Sequence, residues 1–138
     1  MQSKLNPYLS FKGNAREAME FYKTVFGGTL DLSTYEDGGM TRHQANPEQI
    51  MHSMLVAENG ITLMASDTPD GMPYNPGSTI SVSLSGDNEA ELSGYYNKLV
   101  EGGTVAEPLK KAPWGDTFGM LTDKYGIFWM VNIAGPKV

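Results

Sequence analysis

The sequence predicts an α+β protein made of two tandem β-α-β-β-β modules. Three observations carry this. Segments of strict apolar/polar alternation are interleaved with two segments of helical period. A stretch rich in Pro and Gly divides the chain near its middle. The two halves then match each other residue by residue. With 138 residues the chain suits a single domain, 1–138. Residues 4–66 form the first module, 67–78 the linker and 79–133 the second module.

Leu5 to Phe11 alternates, with Pro7, Leu9 and Phe11 on one face and Asn6, Tyr8 and Ser10 on the other. That period of two is a strand with one buried face. Lys12-Gly13-Asn14 is turn chemistry, and Asn14 is expected to cap the following helix. From Ala15 to Phe26 the period changes: Ala18, Phe21, Tyr22, Val25 and Phe26 share one helical stripe. Gly27-Gly28 ends it. Thr29–Tyr35 is a second strand, Glu36–Glu48 a polar loop and Ile50–Val56 a third strand. Asn59-Gly60 is a hairpin turn into a strand over Ile61–Ser66.

Asp67 to Gly77 holds three prolines and two glycines in eleven positions, which sets the linker. Thr79–Ser85 alternates again, with Ile80, Val82 and Leu84 on one side and three serines on the other. A helix follows over Glu89–Glu101, then strands at Thr104–Leu109, Thr117–Thr122 and Phe128–Ile133. The duplication is visible in the residues. Phe21-Tyr22 with Gly27-Gly28-Thr29 parallels Tyr95-Tyr96 with Gly102-Gly103-Thr104. Gly60 to Ser66 parallels Gly126 to Asn132, which makes Met64 and Met130 equivalent.

Composition excludes several functions. The formal charge is −6, so a polyanionic nucleic acid is not an expected partner. No run of about 18 apolar residues exists to span a membrane. The N-terminal residues lack an apolar leader, and with zero cysteines the expected location is cytoplasmic. Zero cysteines and two histidines also exclude a thiolate zinc site, a cysteine nucleophile and a three-histidine metal centre.

The arrangement resembles the vicinal oxygen chelate superfamily of glyoxalases, bleomycin-resistance proteins and extradiol dioxygenases. Within it the chain is similar to the PhnB-like branch, often labelled 3-demethylubiquinone methyltransferase-like. The residues are Pro7-Tyr8-Leu9-Ser10-Phe11, Gly13-Asn14-Ala15, Glu17-Ala18 and Glu20-Phe21-Tyr22. His52-Ser53-Met54-Leu55, Leu63 to Asp67, Trp114 to Gly119 and Asp123 to Trp129 add to it. The resemblance implies a curved mixed sheet around a cavity, the glyoxalase/bleomycin-resistance fold. It also implies a homodimer, and metal ligands on the first and last strand of each half. No Gly-rich loop follows a strand to hold an adenosyl cofactor.

On the expected cavity face those strands offer Asn6, Tyr8 and Ser10, then Thr79, Ser81, Ser83 and Ser85, with Met64 and Met130 where a Glu would stand. A thioether is a poor ligand for hard divalent ions. No cofactor is therefore expected, although a divalent metal stays open. Ligand-binding candidates are Tyr8, His52, Met54, Met64, Ser81, Ser83, Trp114, Phe118 and Met130, with Met120 and Phe128 as further lining. Leu63 and Trp129 should point the other way, under Ala18, Phe21 and Leu92. His52 is the one strand residue with acid–base potential. Its alternative is a histidine bonded to backbone or to a second subunit. His43, beside Arg42, reads as a surface or interface residue. Two functions follow: a protein that binds a small amphipathic molecule without chemistry, or a lyase or isomerase using an atypical metal site or His52.

Overall fold

The computed structural model describes residues 3–39 and 46–136. His43 and its neighbours lie outside them. The chain divides into two compact units, Met1–Pro76 and Gly77–Val138.

The first unit runs β1 (Tyr8–Phe11), α1 (Ala15–Phe26), β2 (Thr29–Thr34), β3 (Ile50–Val56) and β4 (Thr62–Asp67). Its sheet has the order β1-β4-β3-β2. β1 pairs with β4 in parallel; the other pairs are antiparallel. The second unit repeats this with β5 (Val82–Gly86), α2 (Glu89–Leu99), β6 (Thr104–Lys111), β7 (Thr117–Thr122) and β8 (Phe128–Ile133), in the order β5-β8-β7-β6. This is the α+β duplication expected from the sequence. Among the described residues no helix is long and apolar enough to cross a membrane.

Each sheet has one face buried under its helix. β4 and β8 both alternate half-buried and buried from their first residue. Leu63 and Ala65, and likewise Trp129, Val131 and Ile133, supply the buried side. On α1 the buried stripe is Ala15, Ala18, Met19, Tyr22, Val25 and Phe26. Phe21, expected in that stripe, is only half-buried, and Met19 takes the place in the core. Met64 and Met130 fall on the opposite, helix-free faces, as alternation requires.

Two strands start later than expected. β1 begins at Tyr8, which pairs with Met64, so Leu5 lies before the first rung of β4 and is fully exposed. β5 begins at Val82, paired with Trp129 at the start of β8. Ser81 and Ile80 therefore precede the strand, and Ile80 is 78% exposed. Before Tyr8, Pro7 accepts from Met64 N at 3.1 Å but has no N–H to donate to the ladder. Asp67, expected to open the linker, instead closes β4.

The helix starts also differ from each other. Asn88 caps α2 through its side chain, which accepts from Glu91 N at 3.0 Å. Asn14, the expected cap of α1, makes no side-chain cap bond. Asp67 takes that role from β4. Its Oδ1 accepts from Gly13 N at 2.8 Å and Ala15 N at 2.9 Å, and its Oδ2 from Ile50 N at 2.9 Å. The Tyr35 hydroxyl donates to the Asp67 backbone oxygen at 2.6 Å. A buried carboxylate with this many donors joins the start of α1, the start of β3 and the end of β4.

Candidate functional site

Register places most of the candidate residues in two rungs on the helix-free face of each sheet. In the first unit Tyr8 pairs with Met64, Met64 with Met54, and Met54 with Asp31. The next rung carries Ser10 with Ser66, and His52 with Ser33. In the second unit Ser83 pairs with Met130, Met130 with Met120, and Met120 with Glu107. Beside it run Ser85 with Asn132, Asn132 with Phe118, and Phe118 with Lys110. Each half thus holds a hydroxyl, two thioethers and a carboxylate in one row. Asp31 and Glu107 were not among the sequence candidates. Strand alternation carried the signal for Asp31; Glu107 lies between two register shifts of β6, and the repeat sets Ala106 against Asp31.

The Tyr8 hydroxyl lies 3.0 Å from His52 Nδ1, and the two rings stack with centroids 5.7 Å apart. β1 and β3 flank β4, so this bond spans a whole strand. Tyr8 is 47% exposed and His52 half-buried. A neutral imidazole held at Nδ1 presents Nε2 to whatever occupies the face. Met54 and Met64 are half-buried beside it.

In the second half an aromatic pair again borders the thioethers. Trp114 and Phe118 have centroids 6.4 Å apart at 59°. Trp114 is 66% exposed, on a turn closed by Ala112 N donating to Asp116 O at 2.7 Å. That turn is anchored: the Asp116 carboxylate accepts from Asn132 Nδ2 at 3.1 Å and from Gly135 N at 3.0 Å. Gly115 has φ +103°, a conformation that favours glycine. Ser83 and Met130 take the expected register, whereas Ser81 lies outside the strand and the rungs.

A cavity of about 570 Å³ opens elsewhere in the first unit, between Arg16, Glu17, Glu36, Glu48 and Gln49. None of the sequence candidates lines it. Its wall includes Asp67, whose carboxylate is already engaged by backbone donors.

The divalent metal of the superfamily needs about three ligands, mostly His and carboxylate. Among the described residues no three His, Cys, Asp or Glu side chains could hold an ion together. The corresponding strands offer Tyr8, Met64, Ser83 and Met130. These residues do not fit that group.

A duplicated β-α-β-β-β unit with a helix-free face is the glyoxalase/bleomycin-resistance architecture of the vicinal oxygen chelate superfamily. Solved domains of that description share the fold at 20% and 13% identity, with TM-scores of 0.62 and 0.65. Within it, residues 3–132 match the family described as 3-demethylubiquinone-9 3-methyltransferase, and the chain belongs to that family, the PhnB-like branch. Protein YjdN of Escherichia coli K12 is 29% identical over 140 residues, covering 94% of this chain and 95% of YjdN. The crystal structure of PA1353 from Pseudomonas aeruginosa is 40% identical with a TM-score of 0.81, covering 96% and 98%. The PhnB protein of Bacillus cereus, a putative methyltransferase of the same description, is 27% identical with a TM-score of 0.75, covering 96% and 100%.

Proposed function

We propose that the chain binds a small amphipathic molecule on its helix-free sheet faces, as a cytoplasmic homodimer. The observation that carries this is the Tyr8–His52 pair beside Met54 and Met64. Thioethers give an adaptable apolar floor, and a hydrogen-bonded phenol and imidazole give a fixed polar anchor. In the second half Met120 and Met130 repeat the floor, with Ser83 as a hydroxyl and Trp114 and Phe118 as an aromatic border. The exposed side chains of Ile80, Val105 and Trp114 offer apolar surface for a second copy to cover. The lack of cysteines suits a reducing compartment.

A second reading has an observation of its own. A histidine oriented at Nδ1 by a tyrosine is a competent acid–base group at Nε2, as a lyase or isomerase would need. Methyl transfer has no comparable support, since no Gly-rich loop after a strand is present to hold an adenosyl donor.

Native mass spectrometry of protein purified without added ligand tests the binding reading. The expected species is about twice the 15.0 kDa chain mass and carries a small-molecule adduct. The adduct should be lost in His52→Phe with Met64→Ala. A bare monomer would end the proposal.

A further inference from the structure

We propose that Met54, Met64 and His52 form a site for a soft monovalent metal ion, copper(I), on the helix-free face of the first half. Met54 and Met64 are direct partners across an antiparallel pair. Such partners have Cβ atoms about 5 Å apart, and each thioether ends a chain with three rotatable bonds. Both sulfurs can therefore turn toward one point. His52 sits two residues before Met54 on the same strand, so it shares that face.

The imidazole is held at one ring nitrogen. The Tyr8 hydroxyl, arriving from β1 across β4, engages Nδ1 at 3.0 Å. In the tautomer whose Nδ1–H donates to the Tyr8 oxygen, Nε2 carries the free lone pair, and that is the form the site would use. Metal-binding histidines are typically held at the other ring nitrogen in this way.

The donor set decides the kind of ion. Two thioethers and one neutral imidazole are soft to borderline ligands, which favour copper(I) over magnesium, calcium or manganese. The only formally charged side chain in the rung is Asp31, and its sign favours a cation nearby. All three ligands are half-buried, and thus within reach of an ion from solvent.

The second half is a built-in control. It has the same thioether pair, Met120 and Met130, but Phe118 occupies the rung position of His52. The thioethers alone would give a weak site there. This inference goes beyond the small-molecule reading and does not depend on it.

The test uses the full chain with labelled methionine methyl and histidine ring carbons, followed by NMR. Silver(I) serves as a redox-inert probe, and copper(I) is then added without oxygen in competition with bicinchoninate. One equivalent of silver(I) should shift the Met54, Met64 and His52 signals together and leave Met120 and Met130 in place. Met64→Leu, close in volume, should abolish stoichiometric copper(I) binding. Tyr8→Phe should weaken it about 10-fold, as loss of a supporting partner does. Parallel shifts at both methionine pairs, a silent His52, or unchanged binding by Met64→Leu would each overturn the site. A protein that binds no silver yet retains an organic adduct loses this inference and keeps the small-molecule reading.

Discussion

The two halves share a frame and divide the chemistry. Their sheets have the same strand order, and the hairpins before β4 and β8 close alike. Ala57 N donates to Ile61 O and Gly60 N to Ala57 O, while Asp123 N donates to Ile127 O and Gly126 N to Asp123 O. Gly60 and Gly126 both have φ +90°. The thioether rungs coincide as well. The differences lie in three places. Tyr8 and His52 in the first half stand where the second has Ser83 and Phe118. Asp67 closes β4, whereas Ile133 closes β8. Asp123 opens the second hairpin, whereas Ala57 opens the first. The same frame is therefore secured and furnished by different side chains in its two halves.

Asp67 gives the largest expected effect. Asp67→Ala would leave three backbone amides without their carboxylate. Each hydrogen bond to a charged group contributes about 1.5–3 kcal/mol, and losses within one hub are not additive. We expect about 4 kcal/mol from urea unfolding. In the second half the matching position is apolar, and α2 relies on Asn88 instead. Asn88→Ala should cost only about 1 kcal/mol. Equal losses from the two variants would show that α1 and α2 are secured alike, against the geometry.

The Asp123 hairpin comes next. Its carboxylate accepts from Tyr125 N at 2.8 Å, Ile127 N at 3.1 Å and Trp129 Nε1 at 2.8 Å. Ala57 shows that the turn closes without a carboxylate, so the backbone amides near solvent are the lesser loss. Trp129 is 1% exposed, and its indole N–H would lose a buried partner. Asp123→Ala should therefore cost about 2 kcal/mol and alter the near-ultraviolet dichroism of Trp129. An unchanged Trp129 signal would show that the indole bond is dispensable.

These contrasts also show what the sequence could and could not reveal. α1 is legible in its bounds, Ala15–Phe26, because its apolar period and Gly27 act locally, although Met19 and not Phe21 completes its buried stripe. β3, β7 and β8 are legible for the same reason. The starts of β1 and β5 are not, because their pairing is with strands more than 40 residues away (Met64 for Tyr8, Trp129 for Val82). The cap of α1 is hidden for a similar reason: Asp67 reaches Ala15 across 52 positions, while Asn14 looks locally sufficient. Tyr8 and His52 are nameable as candidates from strand position alone. Their hydrogen bond is not, since it needs the sheet order β1-β4-β3. Asp31 and Glu107 passed unnoticed because single acids on edge strands look like ordinary solvated charges.

The smallest expected effect separates the halves by pH. Among the buried tyrosines, Tyr35 in the first half and Tyr96 in the second are both 5% exposed, and each donates its hydroxyl to a backbone oxygen. Burial raises the pKa of Tyr35, and the negative charges of Asp67 and, at high pH, Tyr8 raise it further. Burial also raises Tyr96, but a backbone hydrogen bond at Leu109 pulls it back. An unfolded tyrosine loses its proton near pH 10. Below that pH both tyrosines are neutral in both states, and their contribution is complete. Above it the unfolded chain releases protons that the folded chain still holds, so stability falls as pH rises through the raised folded values. Absorbance at 295 nm, read as the difference between the wild type and each of Tyr35→Phe and Tyr96→Phe, should show both tyrosines titrating late, with Tyr35 the later. Tyr35→Phe should remove a later step than Tyr96→Phe does, and flatten the alkaline fall in urea midpoint more. If Tyr96 titrates last, the Asp67 charge is screened from the Tyr35 hydroxyl, and the hub of the first half is more open to water than its burial implies.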